Sequence, residues 1–283
     1  MKCIKTCKVQ LYADDTVLYC SNTSIKSIEL ALNSDLVNLY NWMCQNKLSV
    51  NCNKTVCMLL GSKHMLSKEH TLNLILNNLP IEQVNQYKYL GLLVDERISW
   101  NLQIEKMLKR IGQIISFLAR LKRCLNESVL KLIYNSMILP YFDYADVIYN
   151  SATKDLTDRL QKLQNRAGRI ILNLKLEDRV SIVQIHDTLN WQPLDIRRKY
   201  HSLALMFKIM NNLAPEYLQN EIQFVSHSYP SRFGLQIKLP KPRTECLKRS
   251  FNYRIAKAYN SLPPDIKSSP SINIFKTKIL DVL

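Results

Sequence analysis

An α+β chain is the fold class this sequence predicts: a short β-containing stretch followed by a long helical one. Three observations predict it. Residues 8–20, KVQLYADDTVLYC, set alternating apolar residues on either side of two adjacent carboxylates, the pattern of a β-hairpin. From Trp100 onward the apolar residues recur at steps of three and four rather than two. A hydrophobic fraction of 47% over 283 residues supplies a core for one large domain or two ordinary ones.

In the hairpin, Val9 and Leu11 alternate on one side and Val17 and Tyr19 on the other. Asp14 and Asp15 then fall at its tip or on the adjoining strand end. Ile25, Ile28, Leu32, Leu36, Leu39 and Met43 predict an amphipathic helix with Thr23 or Ser24 as N-cap. VCMLLG (56–61) predicts a short strand with Val56, Met58 and Leu60 on one face. TLNLILNNLPIEQV (71–84) predicts a hairpin turning at Asn77–Asn78, and YKYLGLLVD (87–95) a single further strand ending at Asp95.

The helical part opens with Ile104, Leu108, Ile111, Ile115 and Leu118 as one stripe, with Lys106, Lys109, Arg110, Arg120, Lys122 and Arg123 on the remaining surface. A second helix is predicted from about Glu127 to Leu139, where Pro140 interrupts it, and Asp143 and Asp146 fall in the loop beyond. A third carries Leu156, Leu160, Leu163, Ala167, Ile170 and Leu174 inside and Arg159, Lys162, Arg166 and Arg169 outside. A basic helix face fits plain solvation as well as a surface that tracks phosphates; two in succession favour the second. After Pro193 another helix places Ile196, Tyr200, Leu203, Phe207 and Met210 inside. Residues 211–245 are expected as loop, and the tail as two short helical pieces separated by LPPDIKSSP.

Composition narrows the function. Lys and Arg number 39 against 23 Asp and Glu, a formal charge of +16, which favours a polyanionic partner. A membrane surface is disfavoured, because the basic helices also carry complete apolar stripes. None of the five glycines forms a GxGxxG or P-loop, which excludes the commonest nucleotide-binding enzymes. The eight cysteines lack zinc-knuckle spacing and are expected as reduced thiols. No signal-peptide core and no run of 18 apolar residues occurs, so the expectation is a non-secreted, intracellular chain with no membrane partner.

Taken alone, the adjacent aspartates fit either a solvated turn or a metal site. LYADDTVLYC, however, resembles the YxDD hairpin of reverse transcriptases. NWMCQNKLSVNCNKT, YKYLGLLVD, ISWNLQIEKMLKRIGQIISFL, LQNRAGRIILNL and the tail AYNSLPPDIKSSPSINIFKTKIL follow in order. Together they resemble the reverse transcriptases of non-LTR retrotransposons, particularly the jockey-like group, over essentially the whole chain. The resemblance implies a partial polymerase palm over 1–97, a helical thumb-like region over 98–180 and a helical and loop C-terminal region over 181–283.

It also implies roles. Asp14 would be the principal Mg²⁺ ligand and Asp15 the supporting carboxylate in two-metal nucleotidyl transfer. Tyr12 and Ala13 would lie near the primer end. Lys54 would protonate the departing pyrophosphate, with a water-exposed loop lysine as the alternative. Tyr89, Leu90 and Gly91 match the primer grip, with an ordinary core strand as the alternative. Lys106, Lys109 and Arg110 would contact an RNA-template/DNA-primer duplex. The pattern departs from the family in one respect: a further palm aspartate and the fingers are expected upstream of the motif, and thirteen residues precede Asp14. The expectation is a C-terminal part of the polymerase, inactive alone. A non-catalytic nucleic-acid-binding protein and an inert retroelement relic are the alternatives.

Overall fold

The computed structural model describes residues 3–67, 71–175, 177–225 and 236–283, except the side chain of Cys246. Two compact units divide the chain, the first ending at Ser99 and the second beginning at Trp100.

In the first unit, β1 (Lys8–Tyr12) and β2 (Asp15–Tyr19) pair antiparallel, with Lys8 opposite Tyr19 and Tyr12 opposite Asp15. Ala13 and Asp14 are left as a two-residue turn. Ala13 has φ +52°, a left-handed conformation that glycine, asparagine and aspartate adopt more cheaply. Helix α1 (Ile25–Gln45) follows with Ser24 at its N-cap, and buries Asp35, Leu36 and Leu39. A 3₁₀ turn (Cys52–Lys54) leads to β3 (Val56–Cys57), shorter than the strand its sequence suggested, and then to α2 (Lys63–Leu66).

Strands β4 (Ile75–Leu76) and β5 (Leu79–Pro80) form the expected tight hairpin, with Asn77 at φ +51° and Asn78 at φ +60°. Two consecutive left-handed residues make this the turn whose twist matches paired strands. β6 (Glu82–Gln83) pairs parallel with β3. YKYLGLLVD is not one strand. It is a hairpin of β7 (Gln86–Tyr89) and β8 (Leu92–Asp95) turning at Leu90 (φ +45°) and Gly91 (φ +84°). Gly91 is therefore required first by the turn itself. Leu36 of α1 packs with Leu72, Leu74, Leu76 and Ile81 to form this unit's core.

The second unit is almost wholly helical. Trp100, buried, donates its Nε1–H to Ser151 Oγ at 2.7 Å and starts α3 (Asn101–Leu121). Then come α4 (Glu127–Ile133), capped by Asn126, a π-helical segment (Tyr134–Ile138) and α5 (Leu139–Asp143), without interruption. The expected break at Pro140 does not occur. Proline sits in the first turn of α5, where its missing N–H costs little, and the π turn before it absorbs the change in hydrogen-bond step.

Helices α6 (Asp146–Tyr149), α7 (Lys154–Ile171), α8 (Ile182–Leu189, opened by a Ser181/Gln184 capping box) and α9 (Leu194–Met210) follow. The chain ends with α10 (Glu216–Asn220), α11 (Glu245–Arg249), α12 (Phe251–Asn260), α13 (Pro264–Lys267) and α14 (Ile272–Leu280). The stretch expected as loop therefore contains α10, and an isolated bridge joins Phe224 to Ile237; residues 226–235 of it lie outside the described residues.

α3 packs against α7, and α9 is surrounded by α6, α7, α10, α12 and α14. That central place explains why α9 buries Arg198 and Ser202 together with Leu203, Met206 and Phe207. Phe207 stacks on Phe275 of α14 with ring centroids 4.3 Å apart, at the heart of a core that includes Ile255, Tyr259 and Ile279. No helix among the described residues is long and apolar enough to cross a membrane.

Candidate metal and nucleic-acid sites

The hairpin presents Asp14 in its turn and Asp15 as the first residue of β2. Both side chains are exposed and make no hydrogen bond or ion pair with another described residue. Tyr12, directly opposite Asp15, is 62% exposed, and Leu11 and Tyr19 are also largely bare. Adjacent carboxylates without a cation repel each other, and this pair is relieved by solvent alone.

The root of the hairpin is held from α1. Asp35, 0% exposed, accepts backbone N–H bonds from Lys5 (2.9 Å), Thr6 (2.8 Å) and Cys7 (2.7 Å), and the Thr6 hydroxyl at 2.7 Å. Burial pushes its carboxyl pKa up, but these donors outweigh burial and hold it well below the usual carboxylate range. Asp35 lies amid helix residues without any motif, so sequence reasoning passed over it.

Lys54 ends the 3₁₀ turn, its backbone N–H bonded to Asn51 Oδ1 at 3.2 Å and its side chain exposed. Tyr89, Leu90 and Gly91 sit at the end of β7 and in the turn to β8. The structure thus brings Asp14 together with Asp15, and Tyr12 and Ala13 with both. Lys54 and the 89–91 turn belong to separate elements of the same unit.

Magnesium is commonly held by one or two carboxylates while keeping several waters. Asp14 and Asp15 fit such a hydrated ion. Among the described residues, no third Asp, Glu, His or Cys joins them to complete a cage. Three ligand-type groups do converge elsewhere: Asp143, Asp146 and His201, with ligand atoms within 4.8 Å of one another. Each already has a partner within the second unit. Arg197 grips both oxygens of Asp143 at 2.5 and 2.6 Å, and His201 Nδ1 lies 2.6 Å from Asp146 Oδ2. That donor set is an ion-pair network between α9 and the α5–α6 corner, and it replaces the loop expected there.

On α3, Lys106, Lys109 and Arg110 are exposed; Arg110 Nε donates to the Tyr141 hydroxyl at 3.3 Å. Arg120 stands 5.8 Å over the exposed Phe117 ring. The basic face of α7 is partly used up internally. Arg159 pairs with Glu105 of α3 at 2.5 Å, and Arg169 donates to the Val180 carbonyl at 3.3 Å, leaving Lys162 and Arg166 outward.

No family model and no solved structure matches the chain. Two curated proteins do. "Probable RNA-directed DNA polymerase from transposon BS" of Drosophila melanogaster is 28% identical over 165 residues, 56% of this chain and 18% of that protein. "Retrovirus-related Pol polyprotein from type-1 retrotransposable element R1 2" of Nasonia vitripennis is 26% identical over 141 residues, 47% of this chain and 34% of that protein. The matches thus span a fifth to a third of the relatives' lengths and about half of this chain. By its ordered motifs and these two matches, the chain is similar to the RNA-directed DNA polymerases of non-LTR retrotransposons.

Proposed function

We propose that this polypeptide is a part of an RNA-directed DNA polymerase, in which the first unit contributes palm elements and the helices from Trp100 form a thumb-like grip. Asp14 and Asp15 would hold a Mg²⁺ ion, whose chemistry there would be to lower the pKa of a primer 3′-hydroxyl and to neutralise the leaving pyrophosphate. Ala13 keeps the turn small enough for a primer end to approach, and the exposed Tyr12 offers a flat contact beside it. Lys54 is the proton donor to pyrophosphate, and Tyr89–Gly91 press the primer from a second turn. Lys106, Lys109 and Arg110 bind duplex phosphates.

The observation that carries this reading is the pair of exposed, unpartnered carboxylates at the tip of the hairpin, Asp14 in its turn and Asp15 opening β2. The absence of a third ligand beside them among the described residues favours a second statement. As the 283-residue chain, it binds template–primer and does not extend it.

The test is filter binding of an RNA-template/DNA-primer duplex, with and without Mg²⁺, alongside primer extension. Binding that tightens with Mg²⁺ and loses that gain in Asp14→Asn, with no extension, is the expected result. Equal binding with and without Mg²⁺ contradicts the metal assignment. Extension by this chain alone contradicts the inactivity.

A further inference from the structure

We propose that Cys7 and Cys20 are a redox-active dithiol that closes to a disulfide across the open end of the Asp14–Asp15 hairpin. The inference rests on the hairpin's register and not on the metal reading of its tip.

The register decides it. A two-residue turn makes its flanking pair, Tyr12 and Asp15, a hydrogen-bonded pair, and the alternation along an antiparallel ladder makes Lys8–Tyr19 hydrogen-bonded again. The ladder ends at that pair; Cys7, in a bend, and Cys20 are the residues one step beyond it on each side, where the same alternation would make them a non-hydrogen-bonded pair. In such pairs the Cα atoms lie about 4.5 Å apart, within the roughly 4.4–6.8 Å that a disulfide spans. The Cys7 N–H is accordingly not used by the ladder; it donates to Asp35 Oδ2 at 2.7 Å. Both thiols are free and only half-buried, so a small oxidant reaches them. Their proximity is also felt electrostatically. Burial, reinforced by Asp35 and the neighbouring Cys20 and opposed by the Thr6 hydroxyl, pushes the Cys7 thiol up to about 11.

A poorly ionised Cys7 assigns the order of events, since the thiolate is the nucleophile. The Cys20 thiolate attacks one sulfur of a small disulfide oxidant of the glutathione type. That S–S bond breaks, one thiolate leaves, and Cys20 carries a mixed disulfide. Cys7 then loses its proton to solvent and attacks the Cys20 sulfur, expelling the second thiolate. Two protein thiols are oxidised, one small disulfide is reduced to two thiols, and the hairpin is covalently closed at the end opposite its turn. Asp14 and Asp15 then lie in a ring fixed at both ends.

The experiment incubates the native full chain with oxidised glutathione, alkylates the remaining thiols and maps tryptic peptides by mass spectrometry, beside the same chain unfolded in urea. The expected product links Thr6–Lys8 to Val9–Lys26, at least about tenfold more abundant from the native chain than from the unfolded one, because native pairing raises the effective concentration. Cys7→Ser should accumulate a glutathione adduct on Cys20, whereas Cys20→Ser should leave Cys7 largely unmodified. The proposal is overturned if the linked peptide is no more abundant from the native chain. It is equally overturned if the native chain carries glutathione on these cysteines without linking them, or if Cys7 is the one that reacts first.

Discussion

Arg197 of α9 and Asp143 at the end of α5 are joined by two parallel contacts, Nε to Oδ1 at 2.5 Å and Nη2 to Oδ2 at 2.6 Å. His201, one helical turn on, meets Asp146, which is 3% exposed, so α9 fastens both carboxylates of the YFDYAD corner. A planar guanidinium facing a carboxylate edge-on is the strong form of this interaction, and the Asp143 partner in turn raises the Arg197 pKa.

Breaking that fork is costly mainly through the charge left behind. Asp143→Ala should lower the stability of the second unit by about 1–3 kcal/mol, measured by urea unfolding. Adding Arg197→Met to it should recover part of the loss, because the stranded guanidinium is then gone. A double variant no better than the sum of two independent losses would show that the two residues are not coupled.

Asp35 makes a pH prediction with a definite sign. Its folded pKa is depressed, so its stabilisation is fully present above the unfolded carboxyl value of about 3.9 and drains as pH falls below that toward the folded value. Asp35→Asn presents an amide N–H₂ where three backbone donors need an acceptor, and should cost about 2–3 kcal/mol at neutral pH. The variant should also lose the acid-limb slope seen in the parent, and the amides of Lys5, Thr6 and Cys7 should lose hydrogen-exchange protection.

Gly168 on α7 predicts against helix propensity. A Cβ there would meet Ile185 Cγ2 at 2.7 Å, Leu189 at 3.3 Å and Trp191 at 3.4 Å. Alanine favours an isolated helix, yet Gly168→Ala should destabilise by about 1–3 kcal/mol by driving α8 off α7. Thermal melts decide it; an unchanged or raised midpoint would mean that α8 shifts freely.

The basic face of α3 predicts salt dependence. Replacing Lys106, Lys109 and Arg110 together by alanine should reduce the slope of log affinity against log salt by about 2–3 for a nucleic-acid duplex. Arg159→Ala should change that slope little, because Arg159 is already paired with Glu105. Equal effects from both would place the phosphate contacts elsewhere.

What the sequence revealed follows from which residues speak for themselves. Asn77–Asn78 announced their turn because asparagine tolerates the left-handed region that both occupy. Leu90–Gly91 adopt the same geometry, but leucine is no turn signal, so the β7–β8 hairpin passed for one strand. The helix past Pro140 was hidden because a π turn is not written in apolar spacing. Periodicity found the stripes of α3 and α7 yet missed Gln164, Arg198 and Asp35, since counting apolar residues cannot see a polar side chain that is buried with partners or in a crowded central helix. The paired aspartates were legible as a motif; that they stand exposed and unpartnered needed the structure.

The most direct test of the central claim is Mn²⁺ binding to the full chain, read as water-proton relaxation enhancement, in parent, Asp14→Asn and Asp15→Asn, with Asp143→Asn as a control outside the hairpin. Enhancement is expected in the parent and the control, with its loss in Asp14→Asn and its weakening in Asp15→Asn. Enhancement unchanged in Asp14→Asn, or lost only in Asp143→Asn, would contradict it.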